Sequence, residues 1–146
     1  MIKNLFQLSN IIRYNNNIRQ LTDIVKLYNG NDWKKYIKYS DKIYHKNMKY
    51  SKIYLPFKLE YNNIYLLEWQ PNAVTKIHSH TNNGCIFKVL DGNINEKLYK
   101  NNWKYKIPII STLYKNDVRY IDDELGLHSV ENPNNSNCYS LHIYKK

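Results

Sequence analysis

Between Ile18 and Tyr28 the apolar residues Ile18, Leu21, Ile24, Val25 and Tyr28 recur at steps of three and four, which draws one apolar stripe along a helix. Gly30 follows the stripe and is expected to end that helix at its C′ position. Asp32 then stands where it can cap a second short helix that carries Trp33, Tyr36 and Ile37. From Ile53 onward the apolar runs shorten, and β-branched and aromatic residues take over in IYLPF, NIYLLEW, TKIHSH, CIFKVL, INEKLY, WKYKI, STLY, VRYI, HSVEN and CYSLHIY. Short strands at such close spacing predict a β-sandwich or barrel. Asp91-Gly92, between CIFKVL and INEKLY, predicts a two-residue type I′ hairpin, while Asn83-Gly84 and Asn132-Pro133 mark further turns. The predicted architecture is therefore mainly β, with short helices over about residues 1–48 packed on a sheet structure over about 50–146.

Composition narrows this picture. A chain of 146 residues has room for one core, so residues 1–146 are expected to form a single domain. Fifteen tyrosines and three tryptophans are too many bulky aromatics for a disordered chain. No apolar run approaches the roughly 18 residues of a membrane span, and Asn, Gln and Arg interrupt the apolar residues of the amino terminus. A soluble protein with no membrane partner is expected. Lysine and arginine number 22 against 12 acids, a net charge of +10. The basic residues are spread along the chain rather than gathered in one run, which argues against nucleic acid as a partner. The chain is also rich in Asn, Ile, Lys and Tyr, whose AT-rich codons account for part of the excess. Two cysteines, Cys85 and Cys138, without a secretory leader fit a reducing compartment, and the cytoplasm is the expected location. A monomer is expected.

The chemistry centres on histidine. Four of the five, His78, His80, His128 and His142, fall in strand-like segments, while His45 lies in a polar stretch and reads as a surface residue. In an extended strand residues i and i+2 share a face, so His78 and His80 of IHSH project as a chelating pair. Ser140, His142 and Tyr144 of CYSLHIY form a second one-sided row by the same alternation. Cys138, on that strand, is expected to face away from the ring of Tyr144.

After His80 come four residues, then Cys85, then six more before Gly92, and Gly126-Leu127-His128 is followed by Asn132. This spacing resembles the two cupin motifs, with Cys85 in the place of the usual glutamate ligand. The stretches IHSHTNNGCIFKVLDGNINEKLY, YIDDELGLHSVEN and SLHIY are similar to those of the cysteine dioxygenase family, over about Tyr50 to Tyr144. The resemblance implies a small cupin β-barrel or sandwich with short N-terminal helices. It also implies iron(II) held by His78, His80 and His128. Three neutral imidazoles suit that metal and leave it the full double charge, which an anionic thiolate can partly neutralise. Ser140, His142 and Tyr144 then match the family's catalytic row, and Cys85 and Tyr144 match its thioether-bonded pair. Tyr50 falls on the family's pocket tyrosine. Lys52 falls on the arginine that clamps the substrate carboxylate, and it keeps the charge without the planar fork.

Asn72 stands where the first motif commonly has glycine, and the loop from His128 to Ser140 is one residue shorter than in the family. The chain reaches Lys146 just beyond Tyr144, ahead of the family's proline-containing turn and closing strands, so a more open pocket is expected. The implied activity is conversion of L-cysteine and O2 to cysteine sulfinic acid. Mercaptopropionate, cysteamine or an N-terminal cysteine are the alternative thiols, and a non-catalytic metal-binding cupin is the alternative class.

Overall fold

The computed structural model describes residues 1–44, 49–80, 84–100 and 107–146. His45, Asn83 and most of the expected WKYKI strand lie outside the described residues. The amino terminus forms α1 (Leu5–Ile12), which the sequence pattern above does not assign. Gln7 and Asn10 are exposed while Leu5, Leu8, Ser9 and Ile12 are buried together, and the Asn4 side chain caps the helix by accepting from the Gln7 amide at 2.7 Å.

The stripe from Ile18 to Tyr28 buries Ile18, Leu21, Val25 and Tyr28 as its periodicity predicts. The backbone beneath it is a 3₁₀ turn (Ile18–Gln20) followed by α2 (Leu21–Lys26). Gly30 does not end this helix. Lys88, buried at 1% exposure, reaches its Nζ to the carbonyls of Val25 and Lys26, at 3.2 and 3.0 Å, and to that of Tyr28. Burial pushes the Lys88 pKa down to about 8. Gly30 is instead required by close approach, since a Cβ there would lie 2.2 Å from the Lys3 carbonyl oxygen. Asp32 stands at the start of α3 (Trp33–Tyr39) without capping it. Its carboxylate accepts instead from the Leu5 amide at 2.9 Å and the Tyr28 hydroxyl at 2.7 Å, tying α1 to the loop before α3.

Among the described residues eight strands follow: β1 (Tyr50–Tyr54), β2 (Asn62–Trp69), β3 (Cys85–Asp91), β4 (Ile94–Tyr99), β5 (Ile109–Leu113), β6 (Val118–Ile121), β7 (Leu127–Glu131) and β8 (Cys138–Lys145). They form two antiparallel sheets, one ordered β1-β2-β8-β3-β6 and the other β5-β4-β7. Asp91-Gly92 is accordingly not a hairpin turn, because β3 and β4 belong to different sheets. Gly92 alone of the pair has positive φ, at 80°, and the turn carries the chain across the sandwich. A type I′ turn would have kept the two strands paired in one sheet.

The larger sheet is buried on both faces, which explains the nearly continuous apolar character of β2, β3 and β8. Ile64, Leu66, Ile86, Leu141 and Ile143 face the helices. Tyr65, Leu67, Trp69, Phe87, Val89 and Cys138 face the second sheet, where Ile94, Leu113 and Val130 meet them. No described helix is long and apolar enough to cross a membrane.

Candidate metal centre

The segment expected as the strand TKIHSH is not a regular strand. It runs beside β7 through two isolated bridges, Val74 with Glu131 and His78 with His128. Four residue steps on one side match three on the other, so one extra residue bulges the segment. The His78 and His128 backbones exchange both amide-to-carbonyl bonds, at 2.9 and 3.1 Å. Paired residues of an antiparallel ladder project to one side, so this exchange aims both imidazoles together. His80 joins them despite the irregular backbone. The three Nε2 atoms lie 3.0 Å (His78 to His80), 2.7 Å (His80 to His128) and 3.1 Å (His128 to His78) apart.

These distances fit a metal ion. Metal–nitrogen bonds of about 2.1 Å at right angles space their donors about 3.0 Å apart, whereas a tetrahedral angle gives about 3.4 Å. The far side of each ring is also committed. His78 Nδ1 donates to the Lys76 carbonyl at 2.7 Å, and His128 Nδ1 to the Glu96 carboxylate at 3.0 Å. In its neutral form each of these two rings turns a bare Nε2 lone pair inward, and such lone pairs repel unless a cation lies between them. Burial and the neighbouring imidazoles push the His80 pKa down to about 3, so a proton does not take the cation's place there. Among the described residues, this trio is the group of side chains able to hold a metal.

Glu96 was not singled out in the sequence, although INEKLY carries the signal. Ile94 and Glu96 share the inward face of β4, and the glutamate is only 1% exposed. Its second oxygen pairs with Arg119 Nε of β6 at 3.0 Å.

The β8 row converges on the same space. Cys85 and Tyr144 are directly opposed across β3 and β8. Burial pushes the Cys85 thiol up to about 12, partly offset by the neighbouring Tyr144 hydroxyl and Lys52 ammonium, and likewise raises the Tyr144 pKa. Trp69 Nε1 donates to Ser140 Oγ at 2.8 Å, and Ser140 Oγ lies 2.7 Å from His142 Nε2. Ser140 Oγ accepts from the indole and has both a proton and a second lone pair to share with His142 Nε2, while His142 Nδ1 is buried without a hydrogen-bond partner. His142 meets Tyr144 by stacking, with centroids 6.1 Å apart and planes 11° apart. Cys138 does not face away from Tyr144. Six residues apart on one strand preserves parity, and both side chains belong to the inward cluster.

Lys52 and Tyr50 of β1 border the same cavity of about 520 Å³, with the three metal-site histidines, Cys85, His142 and Tyr144. The Lys52 ammonium lies 4.4 Å from the centre of the Tyr65 ring, a cation–π contact. Desolvation lowers its pKa, while Cys85 opposes that shift. Tyr65 is a pocket residue the sequence reading missed: its ring stacks on His142 and Tyr144, at 5.7 and 5.3 Å. Around the site, Asn72 adopts φ 63°, the left-handed region that explains glycine as the common alternative there. Buried Asn132 donates to the carbonyls of Trp69 and Gln70, fastening the end of β2 to the loop before β8.

Two facing antiparallel sheets with three convergent imidazoles at the mouth define a cupin with a candidate metal centre. The fold matches the cupin domain of Schizosaccharomyces pombe Cnp3, with TM-score 0.58 and 12% identity over 75% of this chain and 71% of that one. It also matches an RmlC-like cupin from Shewanella frigidimarina, with TM-score 0.56 and 11% identity over 74% and 85%. The chain belongs to the cysteine dioxygenase type I family, which it matches over residues 1–146. It is similar to cysteine dioxygenase type 1 of Danio rerio, 30% identical over 144 residues, and of Rattus norvegicus, 29% identical over 141 residues. Each comparison covers 88% of this chain, which spans 65% and 64% of the length of those two relatives.

Proposed function

We propose that the chain is an iron-dependent thiol dioxygenase that converts L-cysteine and O2 to cysteine sulfinic acid, with both oxygen atoms added to sulfur. The observation that carries this reading is the convergence of His78, His80 and His128 at the mouth of a cavity bordered by Lys52, Cys85 and Tyr144, in a chain of this family. Iron(II) held there would supply a centre at which thiolate and O2 can meet. Neutral imidazoles leave its charge for the thiolate, and Cys85, a buried neutral thiol, adds no carboxylate to consume it.

The remaining roles follow from this chain's own side chains. Lys52 attracts the substrate carboxylate, and Tyr50 borders the same end of the cavity. The Tyr144 hydroxyl orients the substrate by hydrogen bonding, with its ring held by stacking on His142 and Tyr65 and by the Trp69–Ser140–His142 chain behind it. Phe87, Leu67 and Val130 line the interior and keep water from the reacting atoms. A thioether between Cys85 Sγ and the Tyr144 ring forms during turnover, with two hydrogen atoms leaving the chain and O2 as their acceptor. Their opposed positions in the β3–β8 ladder support that bond. The enzyme acts as a cytoplasmic monomer.

The test is oxygen uptake by iron-loaded protein with L-cysteine, cysteamine or mercaptopropionate. Faster uptake with L-cysteine than with cysteamine, and none in iron-free protein, is expected. Equal rates for both, or iron-independent uptake, would overturn the assignment.

A further inference from the structure

One metal-site histidine differs from its neighbours in what stands behind it. His78 Nδ1 donates to a neutral backbone carbonyl, whereas His128 Nδ1 donates to the Glu96 carboxylate at 3.0 Å. Glu96 is 1% exposed and offers one oxygen to each of two partners, Oε2 to His128 and Oε1 to Arg119. These partners come from different places: Glu96 lies on β4 and His128 on β7 of the smaller sheet, while Arg119 reaches across from β6 of the larger sheet. A buried carboxylate is costly unless paired, and this one is paired on both sides.

We propose that Glu96 is a positioning residue that sets how strongly His128 donates to the metal, and that Arg119 is the counter-charge limiting that donation. This rests on the reading above that the three histidines hold iron. A carboxylate accepting from the far nitrogen fixes the imidazole's orientation and raises its basicity, which strengthens donation from Nε2. Stronger donation favours iron(III) over iron(II). The Arg119 guanidinium draws on the same carboxylate and works the other way. Removing the carboxylate and removing the guanidinium must therefore move the metal in opposite directions. A pair that served only to hold two sheets together would lose stability alike from either change and leave that sign unset.

The experiment uses the full chain without substrate. Iron(II) affinity is measured by chelator competition, and the iron(III)/iron(II) potential by spectroelectrochemical titration. Glu96→Gln keeps an acceptor for His128 but removes the charge. It should weaken iron binding by about 10- to 100-fold and raise the potential by about 59 mV, the equivalent of a tenfold loss in relative preference for iron(III). Arg119→Met should lower the potential, and Arg119→Lys, which keeps the charge, should stay near the wild-type value. Shifts of the same sign in Glu96→Gln and Arg119→Met, or no shift in either, would overturn the proposal. A wild-type chain that takes up no iron would overturn the functional reading and this inference together. Wild-type uptake with an unmoved potential in the variants would overturn this inference alone.

Discussion

Strand β8 presents two faces that share one backbone and almost the same burial, yet do different work. Leu141 and Ile143 point outward against the helices, in a cluster with Leu5, Leu8, Leu21 and Val25. Ser140, His142 and Tyr144 point inward, and two of the three are as buried as the leucines. The outward face is held by non-directional apolar contact, so any side chain of the right volume would serve. The inward face is held by directional contacts: Trp69 Nε1 donates to Ser140, Ser140 is hydrogen-bonded to His142, and the His142, Tyr144 and Tyr65 rings stack, although His142 Nδ1 is buried without a partner. Burial alone does not separate scaffold from candidate site in this molecule. The type of contact does.

Substitutions can break that contrast or sharpen it. The largest effect is expected at the metal centre, where His80→Ala removes one of three donors and should cost most of the bound iron and all thiol oxidation, with the fold intact by circular dichroism. Iron retained at the wild-type level would show that the imidazoles converge without serving as ligands. On the outward face, Leu141→Ala should destabilise the chain by about 2–5 kcal/mol in urea titration while leaving iron content per folded molecule unchanged. Lys52→Ala should reduce kcat/KM for L-cysteine by roughly tenfold to over a hundredfold, the equivalent of ~1.5–3 kcal/mol for a charge-assisted hydrogen bond, and spare cysteamine. Equal losses on the two thiols would separate Lys52 from the carboxylate. Ser140→Ala, which cuts the chain from Trp69 to His142, should cost about 0.5–1.5 kcal/mol of transition-state stabilisation and leave iron content unchanged, a readout that distinguishes the inward row from the ligands.

The parity of the two faces is legible in the sequence, because alternation in CYSLHIY survives folding intact. The same parity, followed six residues back, places Cys138 inward, contrary to the expectation for that residue. His78 and His80 are legible as residue types at the right spacing, but the reason they converge is not the strand the sequence suggests. A bulge and a backbone exchange with His128 turn them inward, and that pairing joins segments 50 residues apart. Non-local pairing also hides the sheet change at Asp91-Gly92, where local turn chemistry points to a hairpin. Charged residues conceal the rest. Lys88 and Glu96 look like solvated positions on half-exposed strands, and only the arrival of three carbonyls at one, and of His128 with Arg119 at the other, makes their burial affordable. The helix α1 is hidden because Gln7, Ser9 and Asn10 interrupt its apolar residues in sequence, while Leu5, Leu8 and Ile12 share one buried face in space.

Isotopic analysis of the product is the most direct measurement. Iron-loaded protein turned over with L-cysteine under ¹⁸O₂ should yield cysteine sulfinic acid carrying two heavy oxygen atoms in each molecule, and the His80→Ala variant should yield none. Cystine as the product, or a sulfinate that carries oxygen from water, would contradict dioxygenation at this three-histidine centre.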